Sequence, residues 1–226
     1  GNFKPSLYCY REIIAGGLPS LCRQAFNCAS VVILNYAAGA YAPEGQDASS
    51  VAAFAIVSRT TMFAFSLILG FVQGFQPVCG FNYGAHKYQR VRQSYFFAFS
   101  VSTVMLVVLS ALGFIFAPQI IAIFRSEDPV LIDIGTQALR WQCAVFPLVT
   151  LGTTTNMLFQ NIRMPIRSTL LSISRQGLFF IPAILILPRF FGFQGVIMTQ
   201  AVADVCTFFL AIPFAIWISR RLSSAK

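Results

Sequence analysis

The chain has 226 residues, 57% of them hydrophobic and only 10% charged, with a mean hydropathy of +0.71 and a formal charge of +9. That balance excludes an ordinary soluble domain, in which about a quarter of residues are charged. The basic excess does not call for nucleic acid, because the charges alternate from loop to loop as membrane topology demands.

Apolar runs of about 20 residues are long enough to cross a bilayer. Six occur, at roughly 13–38, 51–77, 95–117, 134–160, 168–188 and 194–218, so residues 13–219 read as one six-span membrane lobe. Residues 1–12 read as a cytoplasmic lead-in and 220–226 as a basic tail, with no removable signal peptide in sight. In the first run Ser20, Gln24 and Asn27 form one helical stripe, and the loop after it, Ala42 to Ser50, is acidic and turn-forming. The second run carries Arg59, Ser66, Gly70, Gln73 and Pro77 on one face, with Gln76 beside them and a G-x-x-x-G at Gly70 and Gly74 that permits close helix approach. Amides are costly in hydrocarbon, so Gln73 and Gln76 are expected to face protein or water. A turn is expected at Asn82-Tyr83-Gly84-Ala85, followed by the basic loop of Lys87, Arg90 and Arg92.

The third run, rich in Phe, Val and Leu, reads as lipid-facing. After it, Pro118 to Asp133 is the longest outer connection, with Ile120 to Phe124 expected along the membrane interface. The fourth run has Arg140 near its outer end and a polar face at Thr153, Asn156 and Gln160. The fifth carries Ser168, Ser172, Arg175 and Gln176, and the sixth carries Gln200, Asp204 and Thr207. Helices that turn polar faces together enclose a polar seam, which suits a transporter better than an anchor.

Lys4, Arg11, Lys87, Arg90, Arg92, Arg163, Arg167, Arg220, Arg221 and Lys226 fall on one side of this topology. The opposite loops hold Arg125 and Arg189 together with Glu44, Asp47, Glu127, Asp128 and Asp133. The basic side is cytoplasmic, which puts both termini there in a multi-pass protein of the cell (inner) membrane. The 6 cysteines form no C-x-x-C pair and read as small buried residues rather than disulfides or metal ligands.

Asp204 is the carboxylate placed deep inside a span, about ten residues or roughly 15 Å from its outer end. An acid at that depth reads either as a cation or proton site or as half of an ion pair with Arg59 or Arg140, which enter from the same side. Arg175 starts from the inner side and is expected either to snorkel toward the headgroups or to line the cavity, not to reach Asp204. For Gln24, Asn27, Gln73, Gln76 and Asn156 the readings are cavity lining or interhelical hydrogen bonding, and Gln200 is expected on the cavity. Enzyme signatures are poor: the single histidine, His86, lies in a basic loop, and neither a nucleophile elbow nor a phosphate loop appears. No cofactor is expected, and transport energy has to come from an ion gradient or another subunit.

Several stretches resemble one known family. They are Gln73-Gly74-Phe75-Gln76-Pro77-Val78-Cys79-Gly80-Phe81-Asn82-Tyr83-Gly84-Ala85 with Arg90-Val91, Gly17-Leu18-Pro19-Ser20 with Arg23-Gln24, and Leu171-Ser172 with Ser174-Arg175-Gln176. Phe191-Gly192-Phe193-Gln194-Gly195 and Gln200-Ala201-Val202-Ala203-Asp204 complete the set. In this order they resemble the multidrug and toxic compound extrusion (MATE) transporters. The resemblance implies an all-α polytopic membrane protein of two six-helix lobes, this chain looking like the C-terminal lobe with Gly1 near the linker. It implies antiport of organic cations against H⁺ or Na⁺ by alternating access, with the N-terminal lobe, the lipid bilayer and small organic cations as partners. Gln24, Arg175 and Asp204 match positions of the DinF-like branch, in which the coupling acid lies on the other lobe. Asn27 stands where the NorM-like branch carries an acidic cation ligand, so a Na⁺ site of that kind is not expected. Two alternatives remain: a lipid-linked oligosaccharide flippase of the same superfamily, using Arg23, Arg59, Arg140 and Arg175 for phosphates, and a non-transporting six-helix scaffold.

Overall fold

Backbone amides in hydrocarbon must be satisfied within their own segment, and a helix is the structure that does so for a single span. The computed structural model, which describes residues 7–125 and 128–224, is accordingly helical throughout its long elements. α1 is Leu7–Ala40, α2 Asp47–Gly84, α3 Tyr88–Ile115, α4 the short Ala117–Phe124, and α5 Pro129–Val145. α6 is Val149–Asn161, α7 Pro165–Ile173, α8 Phe180–Phe191, and α9 Phe193–Ser224. α5 and α6 form one broken rod joined by a 3₁₀ turn at Phe146–Leu148, where Pro147 removes a backbone donor. α7 and α8 form another, joined by a π-helical stretch at Ser174–Phe179. Pro182 lacks the amide that would close on Leu178, immediately after this wide turn.

The bundle thus has six rods, and the chain is an all-α polytopic membrane protein. Four of them, Asp47–Gly84, Tyr88–Ile115, Pro165–Phe191 and Phe193–Ser223, are long and apolar enough along a continuous stretch to cross a membrane. Gly1 to Ser6, Ser126, Glu127, Ala225, Lys226 and the side chains of Arg11, Ser20 and Arg23 lie outside the described residues.

Ends are set by local chemistry. Asp128 caps α5, its Oδ1 accepting from the Leu131 amide at 3.1 Å and its Oδ2 from the Ser49 hydroxyl at 2.5 Å, ahead of Pro129 at the first helical position. That carboxyl is held below its ordinary value by the Ser49 hydroxyl first, then by the Leu131 amide and the nearby Arg125 charge. Gly192, at φ +57°, turns the chain from α8 into α9. Gly195 then sits so close to the Leu187 carbonyl and Pro188 N that a Cβ has no room.

The turn expected at 82–85 lies slightly later. α2 continues through Gly84, and the reversal falls on His86 at φ +57°, closed by Lys87 N–H to the Asn82 carbonyl at 2.9 Å. The Gly70 and Gly74 faces meet nothing within 4 Å, so the G-x-x-x-G makes no close helix approach inside this lobe. α3 is not simply lipid-facing either: Val91, Tyr95, Ala98, Ser102, Leu106 and Ser110 form a buried stripe, and Tyr95 Oη bonds Thr155 Oγ1 at 2.8 Å. The segment expected along the interface forms α4, with Ala117 and Ile121 buried and Ile123 and Phe124 exposed.

Candidate functional site

Between the rods lies a cavity of about 540 Å³. α1, α2, α5, α6, the π-helical stretch and α9 all contribute to its wall, and Leu69 is the innermost residue that α2 supplies. Most of the wall is apolar, in keeping with a site for hydrophobic molecules fixed by a few polar groups.

Asp204 is 1% exposed and faces this cavity. Its carboxylate is fully engaged. Arg175 Nε donates to Oδ1 at 2.6 Å and its NH2 nitrogen to Oδ2 at 3.3 Å, while Gln142 Nε2 donates to Oδ2 at 2.8 Å and Gln200 Nε2 to Oδ1 at 3.3 Å. The Arg175 guanidinium also lies 5.1 Å from the centre of the Phe65 ring, over its face. Buried charge of this kind persists only when paired and hydrogen-bonded, and here it is both.

The partner differs from the one expected. Arg140 is exposed outside the cavity, donating to the Phe114 carbonyl at 3.4 Å and lying over the Phe114 ring at 5.4 Å. Arg59 lies exposed on the cavity wall and forms no ion pair among the described residues. Arg175 makes the bridge because its rod begins at Pro165, not Ser168, so it has climbed about ten residues, roughly 15 Å, before the π turn. Asp204 has descended a similar distance from Phe193, and the two meet near mid-membrane.

A second polar cluster ties α6 to α7. Asn156 Nδ2 donates to Ser172 Oγ at 2.7 Å and to the Ser168 carbonyl at 3.2 Å. Its Oδ1 accepts from Ser168 Oγ at 2.9 Å and from Gln160 Nε2 at 2.7 Å. An amide offers two donors and two acceptor lone pairs, so Asn156 has none left for a ligand. Across the cavity, Asn27 Oδ1 accepts from Gln176 Nε2 at 3.3 Å, and Ser30 Oγ donates to the Gln176 carbonyl at 2.8 Å. Gln24 lines the cavity with its amide exposed, its contact being Cys28 Sγ at 3.9 Å.

Gln73 and Gln76 do not line the cavity, the first of their two readings, and Gln76 follows the second with an interhelical contact. Both sit inward of Leu69, where α2 leaves the cavity wall; Gln76 Nε2 reaches Met157 Sδ at 3.1 Å and Gln73 is exposed on the outer face of the lobe. Gln142 and Phe65 went unnoticed in the sequence. Gln142 lies eleven residues, about three helical turns, before Thr153 and so continues the polar face of 153, 156 and 160; Phe65 carries no such signal among 24 phenylalanines.

A family model described as MatE matches residues 19–186. The chain belongs to the MatE family. Its members are transporters, not enzymes, which agrees with the lack of enzyme signatures in the sequence. The chain is 22% identical over 223 residues to the multidrug export protein MepA of Staphylococcus haemolyticus (strain JCSC1435), covering 99% of this chain and 48% of that protein. Among solved structures it superposes on a MATE in complex with MaL6 at TM-score 0.86 and 25% identity, covering 99% of this chain and 49% of that one. It also superposes on the outward-facing conformation of a multidrug resistance MATE family transporter of the MOP superfamily, at TM-score 0.85 and 26% identity, with the same coverage. The chain therefore spans about half the length of the curated relatives and MatE structures it matches.

Proposed function

We propose that this chain is the C-terminal half of a multidrug exporter that expels organic cations in exchange for H⁺ or Na⁺ by alternating access. The observation that carries the reading is the mid-membrane cavity whose apolar wall holds one carboxylate, Asp204, beside an aromatic face, Phe65. Carboxylate, amides and aromatic faces together are what a hydrophobic cation requires. The MepA relatives are named as multidrug export proteins, which supports the same reading.

The other half of the transporter is the proposed partner. Beyond the cavity wall α2 exposes Gly70, Gln73, Gly74, Pro77 and Phe81, and a solvated or protein surface suits that amide and those bare glycines better than lipid does. A cytoplasmic location for both ends is supported by the basic rim of Lys87, Arg90, Arg92, Arg163, Arg167, Arg220 and Arg221, where Arg167 stacks 3.5 Å over Trp217. The flippase alternative needs a strongly cationic cavity. Arg140 lies outside it and Arg175 is neutralised by Asp204, leaving Arg59 as the uncompensated cation of the described wall. The scaffold alternative has no use for a cavity of this size.

The test is retention of ethidium by cells expressing the full-length protein that contains this chain. Lower retention than in vector controls, abolished when the proton and sodium gradients are collapsed, is the expected result. Equal retention with and without the protein, at confirmed membrane expression, would overturn the reading.

A further inference from the structure

The environment of the Arg175 guanidinium is the one an organic cation would seek: a buried carboxylate on one side, an aromatic ring face on another, and the cavity in front. The group is also only 18% exposed, so it fills that position and leaves little room beside it. A cation from outside that binds Asp204 has to displace it. We propose that Arg175 is a tethered counter-cation, which holds the Asp204 carboxylate until a cationic substrate takes its place. This rests on the reading of the cavity as a site for organic cations.

Two further observations support it. Asp204 keeps two amide donors, Gln142 and Gln200, that do not depend on Arg175, so the carboxylate stays oriented toward the cavity when the guanidinium leaves. Arg175 is carried on the π-helical stretch Ser174–Phe179 rather than on a regular helix. A π turn holds one residue more than an α turn, so its relaxation rotates the side chains it carries by on the order of 100°. That motion withdraws Arg175 from Asp204 without moving α7 or α8 as bodies. The tether also keeps the empty site from presenting an uncompensated charge at mid-membrane, where such charges are expensive. A bridge that serves only to brace the two rods predicts the opposite response to mutation, because removing Arg175 would then loosen the carboxylate and weaken cation binding.

The experiment measures equilibrium binding of tetraphenylphosphonium to the purified full-length protein in lipid nanodiscs. If Arg175 occupies the site nine-tenths of the time or more, removing it tightens binding by about tenfold or more. The expected result is therefore Arg175→Gln binding at least about tenfold more tightly than wild type and Asp204→Asn losing the binding. Wild type that binds, with Arg175→Gln binding equally or more weakly while still folded by thermal melt, overturns the tether and leaves the cation reading standing. If neither wild type nor Arg175→Gln binds, the cation reading itself fails and the tether with it. Should Arg175→Gln not fold, deuterium uptake of residues 174–179 in wild type decides: a rise on adding the cation supports the tether, and unchanged or reduced uptake overturns it.

Discussion

Asn156→Ala is expected to destabilise the lobe well beyond the loss of one small side chain. Its amide makes four hydrogen bonds, to the Ser172 hydroxyl, the Ser168 carbonyl, the Ser168 hydroxyl and the Gln160 amide, and through them joins α6 to α7. Side-chain hydrogen bonds in membrane proteins average about 0.6 kcal/mol each, so these together contribute roughly 2 kcal/mol. The Ser168 hydroxyl, fully buried, also loses its acceptor, which adds about 1 kcal/mol once it turns back on its own helix. The sum is about 3 kcal/mol, or a fall in Tm of roughly 6–12 °C for a chain of this size. Thermal unfolding followed by tryptophan fluorescence of Trp141 and Trp217 measures it. Gln24→Ala is the control, since among the described residues that exposed amide bonds only Cys28 Sγ, at 3.9 Å. A shift for Asn156→Ala no larger than for Gln24→Ala would refute the clasp.

Other expectations follow from single contacts. Gly195→Ala should abolish stable membrane expression, because the new methyl meets backbone, the Leu187 carbonyl and Pro188 N, rather than a side chain that can turn away; quantitative immunoblotting of membranes checks it. Gly113→Ala puts a Cβ 2.8 Å from Cys143 Sγ, so it should lower Tm, and adding Cys143→Ala should restore most of the loss. Asp128 titrates below its ordinary 3.8 when folded, so its cap and its tie to Ser49 are complete above pH 3.8 and are lost as pH falls through the lower folded value. Amide exchange at Leu131 should accelerate over that acid range in wild type, whereas Asp128→Asn should exchange faster at neutral pH and respond less to acid.

The apolar runs carried most of the architecture, because in a membrane the requirement to satisfy the backbone leaves few alternatives to a helix. Pro147 stands where the fourth rod breaks, although residues 134–160 read as one span, and the polar faces of the fourth, fifth and sixth runs line one cavity. The π turn left no such mark, since nothing in Ser174-Arg175-Gln176-Gly177 distinguishes i+5 bonding from i+4 locally. Asp204 consequently has a different partner from Arg59 or Arg140, while Arg175 does line the cavity: its depth depended on where the rod began and on a wide turn, both tertiary facts. Gln73 and Gln76 lie off the cavity for a different reason. Residue type says that an amide avoids lipid, but not whether it finds the cavity, a methionine sulfur or the outside of the lobe.

The central claim is that a hydrophobic cation rests in this half's cavity, against Asp204. Ser58→Cys and Thr153→Cys place thiols on the cavity wall, and Phe190→Cys places one on an exposed apolar surface outside it. In the full-length protein, labelling by a thiol reagent above the native cysteine background should slow at positions 58 and 153 when tetraphenylphosphonium is present, and stay unchanged at 190. Equal labelling rates with and without the cation at all three positions would contradict the claim.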